Sequence, residues 1–186
     1  MKTCKMLVMV LGGLALLPLV GCASTGAPAT GAQQGAPADE LDPLNVTNVR
    51  IRNIATDWCV ARGGFGAIVA TACDIGDATQ RWDISVPFSS NPNDHKIVPK
   101  DVPLQCLDTA SAGPGGNVQL NPCVASPFDP RAQAQLWQFL TADAQFRIRN
   151  TATGTTLCLQ VPAREGARVE LQECKPALLA QEWQVM

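Results

Sequence analysis

The sequence is short of charge and of histidine. Of its 186 residues only 16% are charged, His95 is the single histidine, and no run of Lys or Arg occurs. A nucleic-acid grip draws on basic side chains clustered on one face, so that class is disfavoured. Hydrolases that depend on several histidines are disfavoured too. His95 lies between Asp94 and Lys96 in a polar stretch, where exposure is expected, and the nearby Ser89 and Ser90 sit in no nucleophile motif. No C-x-x-C occurs and no long segment has helical apolar spacing, which argues against a structural zinc site and against a helical fold. What the chain does have is 46% hydrophobic residues, enough for a core, and 8 cysteines. Its length suits one domain.

Met1 to Val20 reads as an export signal. Lys2 and Lys5 supply a positive start, Met6 to Val20 is almost wholly apolar, and acidic residues are absent. The run is shorter than the ~20 residues of a spanning helix. Leu19-Val20-Gly21-Cys22 resembles the lipobox of bacterial lipoproteins. That resemblance implies a signal peptide over 1–21 and acylation (palmitate) of Cys22. Ala23 and Ser24 then favour the outer membrane, so the expected location is the bacterial cell envelope. Removing Lys2 and Lys5 leaves 12 basic against 16 acidic residues, a net charge of −4. Residues 22–47, rich in Ala, Gly, Pro and Gln, read as a flexible linker that cannot bury enough apolar surface to offset its ordering entropy.

From residue 48 to 186 the chain repeats itself, and internal repeats outrank local readings. The marker is Gln-x-Trp, present as Gln80-Arg81-Trp82, Gln135-Leu136-Trp137 and Gln181-Glu182-Trp183. The units run over about 49–85, 96–140 and 146–186. Six cysteines fall two to a unit: Cys59 and Cys73, Cys106 and Cys123, Cys158 and Cys174, separated by 14, 17 and 16 positions. An exported chain meets oxidising conditions, so pairing is expected. Six cysteines allow fifteen connectivities, and the threefold repetition favours the within-unit set. Short strands with Gly, Pro and Asn turns between them fit an all-β fold.

These residues resemble the ricin B-type lectin domain, a β-trefoil of three pseudo-equivalent units. The resemblance covers residues 49–186. It implies that the tryptophans of Q-x-W pack inward and that Gln80, Gln135 and Gln181 brace the adjoining turn. It also implies a galactose site in each competent unit: an Asp in C-L-D, an aromatic two residues before the second cysteine, and an Asn directly before the Gln of Q-x-W. Aromatic faces stack on sugar C–H faces, and carboxylates and amides take the hydroxyls. No unit is complete. Ala61, Asp108 and Gln160 stand at the acid position, Thr71, Asn121 and Gln172 at the aromatic one, and Thr79, Ala134 and Ala180 at the Asn one. Any surviving pocket is expected in the second unit, around Asp108 and Gln119. The other reading of Asp108 is a carboxylate that braces a turn.

Two further aromatics enter the expected ligand-binding set. Trp58, outside any Q-x-W, precedes Cys59 at a turn and reads either as a contact residue or as a lid over the core. Phe128 sits between Pro127 and Pro130 in an insertion after Cys123, and loops on rigid scaffolds often carry function. The expected protein is a membrane-anchored, non-catalytic module that binds a glycan or a protein at the cell surface, with no cofactor, no metal and no nucleic acid. The openings Ile51-Arg52-Asn53 and Ile148-Arg149-Asn150, joined to a lipoprotein signal, also look like the accessory subunits of cytolethal distending toxins. That likeness implies a toxin subunit that binds target cells and carries a nuclease partner.

Overall fold

The computed structural model describes residues 45–87, 91–109, 111, 113–126, 128–142, 145–152 and 156–186. The signal peptide, Cys22 and the linker up to residue 44 lie outside the described residues. The described part is all-β. Its strands are β1 (Val46–Val49), β2 (Ile51–Asn53), β3 (Trp58–Arg62), β4 (Ile68–Ala72), β5 (Trp82–Ser85), β6 (Lys96–Pro99), β7 (Gln105–Thr109), β8 (Gly116–Pro122), β9 (Trp137–Ala142), β10 (Gln145–Asn150), β11 (Leu157–Gln160), β12 (Glu170–Glu173) and β13 (Trp183–Val185).

Each unit contributes an outer pair of strands and an inner hairpin. The outer strands form a closed ring. β1 pairs with β5 and β5 with β6, an isolated bridge joins His95 to Trp137 at the head of β9, and β9, β10, β13 and β2 follow in turn. β1 and β2 together are the first stave, interrupted at Arg50, whose backbone exchanges hydrogen bonds with Met186. The barrel therefore begins at Val46, inside the stretch that composition marks as linker. The hairpins β3–β4, β7–β8 and β11–β12 sit over this ring and seat on one another in a cycle. The first reaches β8 through the Ala67–Gln119 bridge, the second reaches β12 through Gly116–Leu171, and the third reaches β4 through Val69–Arg168. This is a β-trefoil.

The three Q-x-W tryptophans fill the centre. Trp82, Trp137 and Trp183 are fully buried, and each indole N–H donates to the carbonyl one residue after the unit's first cysteine: Val60 at 2.9 Å, Leu107 at 3.0 Å and Leu159 at 3.1 Å. Burying an indole is favourable only if its N–H keeps a partner, and this bond supplies it. Ile51, Ile84, Ile97, Phe139, Ile148 and Leu171 pack around them. The cysteines pair within units, as Cys59–Cys73, Cys106–Cys123 and Cys158–Cys174.

His95 corrects an expectation. It is fully buried, with Nδ1 2.9 Å from the Asn93 carbonyl and its ring edge-on to Phe139 at 5.2 Å. Its register explains why. His95 pairs with Trp137 as Val49 pairs with Trp82 and Phe146 with Trp183, so it occupies a barrel position filled by apolar side chains in the sister units.

Candidate functional site

The glutamine of each Q-x-W ends a short 3-10 turn, at Ala78–Gln80, Ala132–Gln135 and Leu179–Gln181, which aims its amide back at the disulfide-bearing strand. Its oxygen accepts from the backbone N–H after the second cysteine: Asp74 at 2.9 Å, Val124 at 2.8 Å and Lys175 at 2.8 Å. Its nitrogen donates to the carbonyl before that cysteine: Ala72 at 2.8 Å, Pro122 at 3.0 Å and Glu173 at 2.8 Å. The same nitrogen also reaches a side chain, and here the units differ. Gln80 donates to Thr71, Gln135 to Asp108 and Gln181 to Gln160.

Asp108 is therefore both a brace and a site group. Gln135 Nε2 donates to its Oδ2 at 2.8 Å, and the residue is only 6% exposed. Burial pushes its carboxyl above the ordinary carboxylate range, against the pull of hydrogen bonds from Gln135 and Asn121 and of the Arg131 charge. Asp108, Thr109, Asn121, Pro122, Arg131 and Gln135 belong to the wall of a cleft of about 320 Å³. Gln119 is the cross-strand partner of Asp108, and its amide donates to Asn121 Oδ1 at 3.4 Å. The cleft is polar: it offers a carboxylate, two amides and a guanidinium, the groups that take sugar hydroxyls.

The insertion after Cys123 forms the far wall. Lys96, whose ammonium pKa burial pulls below its ordinary value, donates from Nζ to the Val124 carbonyl and props the start of the insertion. Further along, Arg131 Nη2 meets Asp129 Oδ2 at 2.7 Å, and these hydrogen bonds hold the Asp129 carboxyl down to about 2. Phe128 is 94% exposed and does not line the cleft. Trp58 lies in the first unit, half-buried against the core and paired with Ala72. Gln119 is thus a strand neighbour of Asp108 that does not itself line the cleft, and Trp58 and Phe128 lie apart from it. Arg131 escaped sequence reasoning because it lies in an insertion with no counterpart in the sister units.

The other two sites differ. The third unit has a cleft of about 400 Å³ with Gln160, Gln172, Glu173, Lys175 and Leu178 in its wall, and Pro114 from the second unit's hairpin joins them. In the first unit Ala61 replaces the acid, Gln80 engages Thr71, and Glu165 of the third hairpin accepts from Ala72 N at 2.8 Å. Asn53 and Asn150, at the repeat openings, also prove structural. Asn53 Nδ2 donates to the carbonyls of Ala180 and Glu182, and Asn150 Nδ2 to those of Ala134 and Leu136, which flank the Gln of a Q-x-W. Among the described residues no group of His, Cys, Asp and Glu could hold a metal ion, and no helix is long and apolar enough to cross a membrane.

Comparison with known proteins agrees with this geometry. Residues 96–186 match the family model of the ricin-type β-trefoil lectin domain. No curated protein matches the chain. Among solved structures, the designed threefold-symmetric protein ThreeFoil superposes with a TM-score of 0.61 at 16% identity, over 74% of this chain and 96% of that one. A ricin B-like lectin from Macrolepiota procera, solved in complex with lactose, gives 0.57 at 13% identity over 77% and 98%. An endo-β-galactosidase from Clostridium perfringens gives 0.59 at 12% identity over 76% of this chain, which spans 32% of the enzyme.

Proposed function

We propose that this ricin B-type β-trefoil is a non-catalytic carbohydrate-binding module whose working site is the second-unit cleft. One observation carries the reading: Asp108, alone among the three acid positions in being a carboxylate, is held by Gln135 inside a cleft lined also by Thr109, Asn121 and Arg131. A buried carboxylate keeps an unfavourable desolvation that hydroxyl donors of a ligand relieve. The lactose complex of the Macrolepiota procera lectin supports a sugar as the ligand class. Anchoring through an acylated Cys22 in the bacterial envelope would present the domain at a membrane surface, on the strength of the lipobox alone. A toxin-subunit role rests on the Ile-x-Asn openings, and Asn53 and Asn150 already have bracing duties there.

A glycan array probed with the full chain and with Asp108→Ala tests the module. The expected result is a restricted set of glycans bound by the wild type and at least tenfold weaker binding by the variant. A wild type silent on every glycan, or a variant that binds equally well, would refute the reading. Incorporation of labelled palmitate tests the anchor, with label expected in the wild type and absent from Cys22→Ala.

A further inference from the structure

The second-unit cleft has no aromatic platform of its own: Asn121 stands at the position where the resemblance to ricin B-type lectins implies one. A replacement comes from another unit. Phe65 lies at the tip of the β3–β4 hairpin, in the sequence Gly63-Gly64-Phe65-Gly66, and it is completely exposed. Its backbone is left-handed, with φ 55°. Bulky side chains rarely adopt that region, and such outliers cluster at binding sites.

The sister hairpins show what this position ordinarily holds. Gly115 donates its N–H to the Leu171 carbonyl and Gly166 donates to that of Ala70, so each marks the point where one unit's hairpin tip meets the next unit. Both glycines are left-handed, at φ 78° and 75°. Counted back from the second cysteine, Phe65 holds their place in the first unit, and the residue after it, Gly66, is left-handed too at φ 73°. The chain has placed an aromatic where glycine is relaxed, and the ring packs on nothing.

Register then says where the tip lies. Ala67 bridges Gln119 in antiparallel sense, and Gly66 stands over Leu120, with its Cβ position 3.5 Å from the Leu120 carbonyl oxygen. Phe65, the residue before it in the Gly64–Gly66 turn, therefore lies toward the end of β8 that carries Leu120 and Asn121, at the rim and outside the cleft wall itself. The other two tips also reach their neighbours, through the residue one place earlier: Pro114 lines the third-unit cleft with Gln172, and Glu165 bonds Ala72 beside Thr71.

We infer that Phe65 is the stacking platform of the second-unit cleft, supplied across the unit boundary, and that it holds the apolar C–H face of a sugar residue next to the one bound at Asp108. The ligand is then an oligosaccharide with at least two residues in contact, rather than a monosaccharide. This inference rests on the carbohydrate reading of the cleft.

The test compares the full chain with Phe65→Gly, Phe65→Trp and Asp108→Ala on an array running from methyl β-galactoside through lactose to longer glycans. Phe65→Gly is expected to bind its longer glycans about tenfold more weakly. Its thermal stability should be unchanged or higher, because glycine relaxes the left-handed backbone, so lost binding cannot be ascribed to misfolding. Phe65→Trp should keep the binding of the wild type. Wild-type binding that Asp108→Ala abolishes and Phe65→Gly leaves intact would overturn the platform while sparing the module. Loss in Phe65→Gly without loss in Asp108→Ala would overturn the shared site. A silent wild type would overturn both readings.

Discussion

Each Q-x-W glutamine amide satisfies two buried backbone groups, and in the second unit it also holds the only carboxylate of the three acid positions. Gln135→Ala would leave Val124 N, the Pro122 carbonyl and Asp108 without that partner. Orphaned buried polar groups cost about 1–3 kcal/mol each, and partial relaxation brings the expected total to about 3 kcal/mol. Urea unfolding measures it, and a loss below about 1 kcal/mol would contradict the bracing role. Asp108 gives a pH signature of definite sign. Its folded pKa lies above the ordinary 3.8, so its contribution is fully favourable below that value and is lost as pH rises through the folded pKa. Asp108→Asn, which keeps an acceptor for Gln135, should therefore be more stable than wild type at neutral pH, with the advantage vanishing in acid. Thermal melts at several pH values check this, and a constant difference would contradict it. At this scale position was more legible than environment. Asp108 could be read by its offset from Cys106, whereas His95 was misjudged because its polar neighbours hide its equivalence to Val49 and Phe146.

At the scale of elements, the three units share strands and turns and diverge in their connections. The short strands and the Q-x-W turns were legible because they recur at matching intervals from the cysteines. The insertion after Cys123 was legible as an extra length, but its seating was not, since no sister unit shows what a lysine at the head of β6 would meet. Lys96 fixes that seating through the Val124 carbonyl. Lys96→Met would keep the apolar stem and remove the donor, a bond to a charged group worth about 1.5–3 kcal/mol. Amide exchange should then quicken across residues 124–131 while β9 and β10 stay protected. Unchanged protection there would show that the insertion seats without this bond. The first stave was misread in part because Val46-Thr47-Asn48-Val49 is too short for periodicity to separate it from the linker composition before it.

Over the whole domain, one disulfide joins the second strand of each unit to the end of its third. Loops of this length contribute about 3 kcal/mol each in the chain-entropy estimate, a large share of the stability of a domain of this size. Replacing Cys106 and Cys123 together by Ala should lower stability by about that amount and loosen the cleft that flanks them. Calorimetry under reducing conditions should show a still larger drop for the wild type, and identical melting with and without reductant would contradict this. The threefold plan itself was legible from repetition alone. The seating of the hairpins was not, because it joins residues far apart in sequence whose only local trace is a glycine-rich tip. That cyclic seating has a consequence for ancestry. A duplicated repeat copies the wall of one cleft together with the hairpin tip that meets the next, as Pro114 of the second unit meets the third-unit cleft. Drift at a tip is then inherited as altered taste in the neighbour, and three copies of one ancestor can part company in specificity without any cleft changing its own wall.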